Sequence, residues 1–273
     1  MKTKLIYDVG MHLGHDTEYY LQKGFQVVAI EAHPGLYQKA LVRFEKEIQE
    51  GRLTILNVAV APSNGEIDFY CGDEKNDWGT TNLEFVDRNK NVYGLTQEKI
   101  VVESRAFEEV LAEYGTPYYL KVDIEGSDSL CLEGLKKVSD RPKYISIEPD
   151  QKSIESAKEQ ISLMQSLGYD RFMLVNQALL KRVKCPVPAR EGVTLDWQFS
   201  TLSSGPFGQD LQGEWVDADE LISRFKKLLF KQSLFGREGG WQGRWCDTFL
   251  EKLYYKLNPE KLGWYDFHAQ KRD

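Results

Sequence analysis

Residues 7–17 read Tyr7-Asp8-Val9-Gly10-Met11-His12-Leu13-Gly14-His15-Asp16-Thr17 and follow a short apolar run near the start of the chain. An acid stands two positions before a glycine, and a second glycine stands four beyond it. Glycine between a strand and a helix permits backbone dihedrals that side chains disfavour, and it lets a ligand approach the main chain. The helix start at Gly14-His15 also offers N–H groups with no intrahelical partner. Alone, the same pattern fits a tight turn that holds nothing.

The following strand, Phe25 to Ile30, ends in Glu31, 21 residues after Gly10. An acid at that place can accept hydrogen bonds from both hydroxyls of a ribose. A dinucleotide loop would read G-x-G-x-x-G and pack backbone donors against a pyrophosphate. This loop reads D-x-G-x-x-x-G, and Asp8 would set a negative charge close to that pyrophosphate. A cationic nucleoside without phosphate suits it better. S-adenosylmethionine, with its sulfonium and ammonium, is such a molecule, and S-adenosylhomocysteine is its product. Asp8 then serves the ammonium, directly or through water, or it fixes the loop. The alternatives are an NAD-dependent Rossmann oxidoreductase or nucleotide-sugar enzyme, and a nucleoside-binding module without turnover.

Outward from this stretch, strand and helix signals alternate. Strands are expected at 4–9, 25–30, 53–60, 66–70, 100–102, 118–122, 144–147, 171–175 and 178–185. Residues 66–70 are read as the antiparallel neighbour of 53–60, and 72–97 as loop. Helices are expected at 15–23, from Pro34 to Gly51, around Phe107–Tyr114, after Gly126, from Ile154 to Gly168, and after the cap at Asp217. Such alternation implies a doubly wound, mostly parallel α/β sheet with helices on both faces, binding ligands beyond its carboxyl edge. Composition shifts after about 186, so residues 1–185 are read as the cofactor-binding domain and 186–273 as an extension packed on it. Five of the six tryptophans fall in that extension.

The 273 residues carry a net charge of −7, which argues against a general nucleic-acid binder. No apolar stretch is long enough for a membrane span. Cys71, Cys131, Cys185 and Cys246 lack metal or redox spacing and read as reduced thiols of a cytoplasmic protein.

Four segments together resemble the FkbM-type methyltransferases, within the Rossmann-like S-adenosylmethionine-dependent class, over roughly residues 5–180. They are Asp8-Val9-Gly10 through Gly14 with Thr17; Ala29-Ile30-Glu31-Ala32-His33-Pro34; Asn57-Val58-Ala59-Val60 with Gly65 to Tyr70; and Leu120-Lys121-Val122-Asp123-Ile124-Glu125-Gly126. The resemblance implies a seven-stranded sheet whose last strand is antiparallel. It also implies cofactor roles for Asp8, Gly10, Gly14, Glu31 and Asn57, the last near the adenine. Thr17, Ala32, Val58 and Asp123 complete the expected cofactor contacts. Where the family often has a small polar residue and Pro after the acid of the second strand, this chain has Ala32-His33-Pro34. Where the family often has an acid two residues past the Glu-Gly pair, this chain departs again, with Asp128 only a shortened version.

Asp123 and Glu125 end one main strand, and Glu148 and Asp150 end the next. Adjacent strands lie about 4.8 Å apart, so these acids can converge. They could orient cofactor and acceptor, bind a hard cation such as Mg²⁺, or be solvated loop acids; the first reading assigns no metal. Methyl transfer to a hydroxyl needs aligned reactants and a group that takes the proton. Asp123 and Glu125 are the first candidates for catalysis, with Lys121 on their face, and His33 and His268 are weaker ones. Trp78, Glu148 and His268 are the expected substrate contacts, and the Trp78-to-Asn82 stretch is read as a lid or a pinned turn. The late tryptophans are either a sugar-stacking platform or a packing surface, which a homodimer could use. The expected activity is O-methylation of a saccharide or secondary metabolite.

Overall fold

The computed structural model describes residues 4–72, 78–149, 153–200, 202–235 and 264–272. The apolar run at the start becomes β1 (Leu5–Val9), and the glycine loop leads into α1 (His15–Gln22). Next come β2 (Gln26–Ile30), α2 (Pro34–Arg43) and α3 (Glu45–Gln49). Proline suits the first turn of α2 because its missing N–H would be unpaired there anyway. The His33 side chain caps the same helix, its Nδ1 accepting from the amides of Gly35 and Leu36 at 3.0 and 3.3 Å. That bond engages one nitrogen of a weak base candidate.

The chain continues through β3 (Leu53–Leu56), β4 (Ala59–Val60), β5 (Gly65–Cys71), α4 (Leu83–Tyr93) and β6 (Glu98–Arg105). It then forms α5 (Phe107–Tyr114), β7 (Tyr119–Val122), α6 (Ser129–Lys136), β8 (Tyr144–Ile147), α7 (Ile154–Ser166) and β9 (Tyr169–Asn176). Last are α8 (Ala218–Phe235), capped by Asp217, and β10 (Tyr265–Lys271).

Seven strands form one sheet in the order β3-β2-β1-β7-β8-β10-β9, parallel except for β10, which runs antiparallel between β8 and β9. The antiparallel last strand is as expected, but it comes from 265–271. The stretch 178–185, expected as a strand, instead enters a 3₁₀ turn over Gln177–Arg182, because the Asn176 side chain accepts from Ala178 N and closes a cap. The composition break near 186 is therefore no break in the sheet.

Two further expectations differ from what is observed. Leu53–Val60 is two strands, and 65–71 pairs with 98–105 rather than with it. Asn57 bonds to the main chain after β2 and ends the first pairing, so Ala59–Val60 joins a separate sheet of order β4-β6-β5. Within 72–97, residues 83–93 are helical. Asn82 caps that helix through Glu84 N, and Gly94 closes it in the left-handed conformation.

Both sheet faces are covered. On one, Val9, Leu120, Val122, Ile145, Ile147 and Phe267 pack with α5, α6, α7 and α8. Each such side chain, at 2% exposure or less, contributes roughly 1.5–3 kcal/mol of burial. The other face meets α1 and a strap after β9 that inserts Phe199 and Phe207, the latter stacked 4.4 Å from Tyr119. A polar row crosses this second face, since Asp8 pairs in register with Lys121, Lys121 with Ser146, and Ser146 with His268.

Candidate active site

The tips of β1 and β2 are joined by the main chain. The amides of Gly10 and Met11 both donate to Ile30 O at 3.0 Å. Gly10 has φ +82°, and a Cβ there would lie 1.9 Å from the Asp123 carbonyl oxygen. This glycine brings the loop against the tip of β7, which no larger residue permits. Gly14 (φ +77°) precedes α1 and abuts the Phe44 ring.

Glu31 sits at this junction, 6% exposed. One carboxylate oxygen accepts from His12 N at 2.7 Å and the other from His33 N at 2.8 Å. Burial raises its pKa above the ordinary carboxylate range, and the two amides pull it back. Each oxygen retains capacity for a further donor. Asn57 Nδ2 donates to the carbonyls of Glu31 and Ala32 at 2.8 and 3.2 Å, with Val58 buried beside it. Glu31, Ala32 and Asn57 thus make one corner.

Asp8 and Thr17 lie beneath the loop, both fully buried. Thr17 Oγ1 donates to Asp8 Oδ2 at 2.6 Å, and Lys121 Nζ lies 3.1 Å from Asp8 Oδ1. Of the two roles expected for Asp8, this burial favours fixing the loop.

Asp123, Glu125 and Glu148 converge beyond β7 and β8, with a carboxylate oxygen of each within 4.8 Å of the others. Oxygen ligands at that spacing can hold a hard cation or a network of hydroxyl donors. Asp150 lies outside the described residues. Lys121 Nζ is 3.7 Å from Asp123 and the Arg88 guanidinium 3.7 Å from Glu125. Burial first, then the charges of Glu125, Asp123, Asp128 and Asp266, push Glu148 well above the usual carboxylate range.

The loop bearing Glu125 is braced. Glu125 adopts φ +53°, a conformation that costs a non-glycine residue about 1–3 kcal/mol and persists where the surroundings enforce it. Thr80 Oγ1 donates to Glu125 O at 2.7 Å, Asn82 Nδ2 donates to Gly126 O at 2.9 Å, and the Thr81 and Ser127 hydroxyls bond at 2.8 Å. Asp128 accepts from the amides of Ile124 and Gly126, both at 3.0 Å, and burial pushes its carboxyl up to about 6. The stretch from Trp78 to Asn82 is thereby clasped onto the tip of β7. Arg88 escaped the sequence reading because α4 did. The Asn82 and Gly94 caps were the signal that could have revealed it.

His268 lies inside the sheet at 1% exposure, in register with Ser146, and is not open to a substrate. Burial lowers its pKa to about 3, so it is neutral. Asp266, two residues earlier on β10, adds to the acids instead, and burial raises it well above the ordinary range. Trp78 is half-buried, its carbonyl accepting from Gln97 Nε2 at 2.6 Å. Trp197 packs on Tyr19 and Trp215 on Tyr144, Trp264 is exposed, and Trp241 and Trp245 lie outside the described residues.

A parallel sheet with one antiparallel strand next to its edge, a glycine turn after β1 and an acid at the tip of β2 form the Rossmann-like arrangement expected of S-adenosylmethionine-dependent methyltransferases. The profile of the methyltransferase FkbM domain matches residues 8–171, more than half of the chain. The protein belongs to the FkbM methyltransferase domain family. Among solved structures it is similar to a methyltransferase FkbM from Methylobacillus flagellatus KT, at 16% identity and a TM-score of 0.43, over 63% of this chain and 40% of that one. The precorrin-6y C5,15-methyltransferase from Geobacter metallireducens GS-15 gives 10% and 0.34, over 63% and 67%. The phosphoethanolamine N-methyltransferase 2 of Haemonchus contortus, in complex with S-adenosyl-L-methionine, gives 13% and 0.34, over 100% and 50%. The matched region is thus less than half the length of the first of these. No curated protein matches the chain. Among the described residues, no helix is long and apolar enough to cross a membrane.

Proposed function

We propose that the protein methylates a hydroxyl oxygen, with a saccharide or a hydroxylated secondary metabolite as acceptor. The observation that carries this reading is the convergence of Asp123, Glu125 and Glu148 beside the glycine loop. S-adenosylmethionine, when bound, supplies an activated methyl group. The residues fit that cofactor. Glu31 has acceptor capacity left for ribose hydroxyls, and Asn57 shapes the corner next to it. Asp8 and Asp123 flank the single ammonium of Lys121, which leaves one surplus negative charge for a cationic ligand.

At the acid cluster, the chain's part is to orient the acceptor and take its proton. Asp123 and Glu125 each stand beside a cation and are the candidate bases, with a carboxylate oxygen receiving the hydroxyl proton. Glu148, whose carboxyl burial raises above the ordinary range, stands beside them and can take part in holding the acceptor. Holding the reactants in line can supply several kcal/mol, up to about 7–11.

The test is release of S-adenosylhomocysteine with panels of sugars, methyl glycosides, polyols and amines, with and without a chelator. Turnover confined to hydroxyl acceptors, and lost in Glu125→Gln and Asp123→Asn, is the expected result. Turnover on amines alone would overturn the reading. Loss of activity with chelator would assign the three carboxylates to a cation.

A further inference from the structure

Lys121 is an ammonium buried at 4% exposure in the middle of the sheet's carboxyl edge. It donates to the Gly10 carbonyl at 2.8 Å, lies 3.1 Å from Asp8 and 3.7 Å from Asp123. Burial works against its charge, and Asp8, Asp123 and Asp16 overcome that and raise its pKa, so it stays an ammonium. Two of these partners differ in an informative way. The Asp8 side chain is fully buried, whereas that of Asp123 is 48% exposed. Asp8 thus neutralises the ammonium from below, and the surplus negative charge is left on Asp123 at the open edge. The Gly10 carbonyl has a second lone pair. Its position is fixed by Lys121 and by the packing of Gly10 onto the Asp123 main chain. Of the other charged groups nearby, Asp16 is turned to the strap, both its oxygens accepting from Ser204 N at 2.8 and 2.9 Å.

We propose that Lys121 is a positioning residue for the cofactor: its ammonium holds the Gly10 carbonyl and the Asp123 carboxylate as a fixed pair of acceptors for the α-ammonium at the methionine end. Lys121 itself does not touch the ligand. This role moves ammonium recognition from Asp8, which the sequence pointed to, to an acid 115 positions later on the neighbouring strand. It rests on the reading that the glycine loop holds the methionine end.

The test compares two ligands by calorimetry. S-adenosylhomocysteine carries the amino-acid end, and 5′-methylthioadenosine keeps the nucleoside and lacks it. Lys121→Met should weaken S-adenosylhomocysteine by roughly tenfold or more, while 5′-methylthioadenosine changes by less than about threefold. A general collapse of the site would weaken both alike. Should the single variant fail to fold, because Asp8 is left buried without its cation, Asp8→Asn with Lys121→Met removes both charges, and the same split is expected. Equal losses for the two ligands, or no loss for either, in a folded variant would overturn the proposal. Glu31→Ala separates this from failure of the underlying reading. It should weaken both ligands, and if it weakens neither, the error lies in the placement of the nucleoside rather than in Lys121.

Discussion

Glu31 Oε2 accepts the amide of His12 at 2.7 Å, so the tip of the second strand and the loop after the first are one unit rather than two neighbouring features. A ligand that bonds to Glu31 therefore also senses the loop. The same carboxylate ties down His33 at the start of α2.

Replacing Glu31 with Ala is expected to weaken S-adenosylhomocysteine binding by about 1.5–3 kcal/mol, the scale of hydrogen bonds to a charged group. Calorimetry on the folded variant measures it. Unchanged affinity would remove Glu31 from the cofactor site.

Gly10 and Gly51 both have positive φ, but their surroundings differ. A Cβ at Gly10 would collide with main chain, whereas one at Gly51 meets nothing within 4 Å. Gly51→Ala should cost about 1–2 kcal/mol from backbone conformation alone. Gly10→Ala should cost clearly more, on the order of 3 kcal/mol or above, because the loop must move off β7. Urea unfolding of the two variants gives the comparison, and equal costs would contradict the close approach.

Lys23 and Asp210 form an ion pair at 2.7 Å with both side chains fully buried. Lys23→Met leaves Asp210 charged and buried and should cost about 3–5 kcal/mol. Lys23→Met with Asp210→Leu should recover part of that loss, and only part, since Asp210 also accepts from the amides of Arg190 and Glu191. Denaturant midpoints of the single and double variants decide it. A single variant as stable as the parent would show that the strap is not clamped to α1 here.

His268 gives a pH prediction with a definite sign. Its folded pKa is about 3 and its ordinary value 6.5, so between these limits the unfolded chain binds a proton that the folded one refuses. Stability from this group is complete above 6.5 and is lost as pH falls toward 3, by up to a few kcal/mol. Asp16 and Asp128, raised to about 7 and about 6, act oppositely, favouring the folded state as pH falls through those values. Comparing His268→Gln with the parent isolates the histidine. The variant should gain on the parent steadily below pH 6.5, and parallel profiles would contradict the burial of a neutral imidazole.

Much of the fold is local and can be read along the chain. Helix starts at Pro34 and Asp217, the apolar strands 119–122 and 144–147, and the turn at Gly10 to Gly14 follow from capping, periodicity and backbone freedom within a few residues. The strand-end acids Glu31, Asp123, Glu125 and Glu148 were legible for the same reason. By contrast, α4 was hidden in a polar stretch, and with it Arg88, because its Phe85 meets the loop at Gly126 rather than the main core and its Leu83 is exposed. Strand 265–271 was hidden too, although Tyr265, Phe267 and Ala269 alternate with Asp266, His268 and Gln270, because its partners β8 and β9 lie far away in sequence.

By itself, then, the sequence determined most of the strands and helices of the first two thirds of the chain and which acids stand at strand tips, since those depend on neighbours in the chain. Only the tertiary structure decided which way the charges face. Asp8 turns inward because Lys121, on the adjoining strand, meets it there, and Asp123 is left at the open edge. A buried carboxylate needs a cation within a few ångströms, and the residue that supplies it stands more than 100 positions away in the chain.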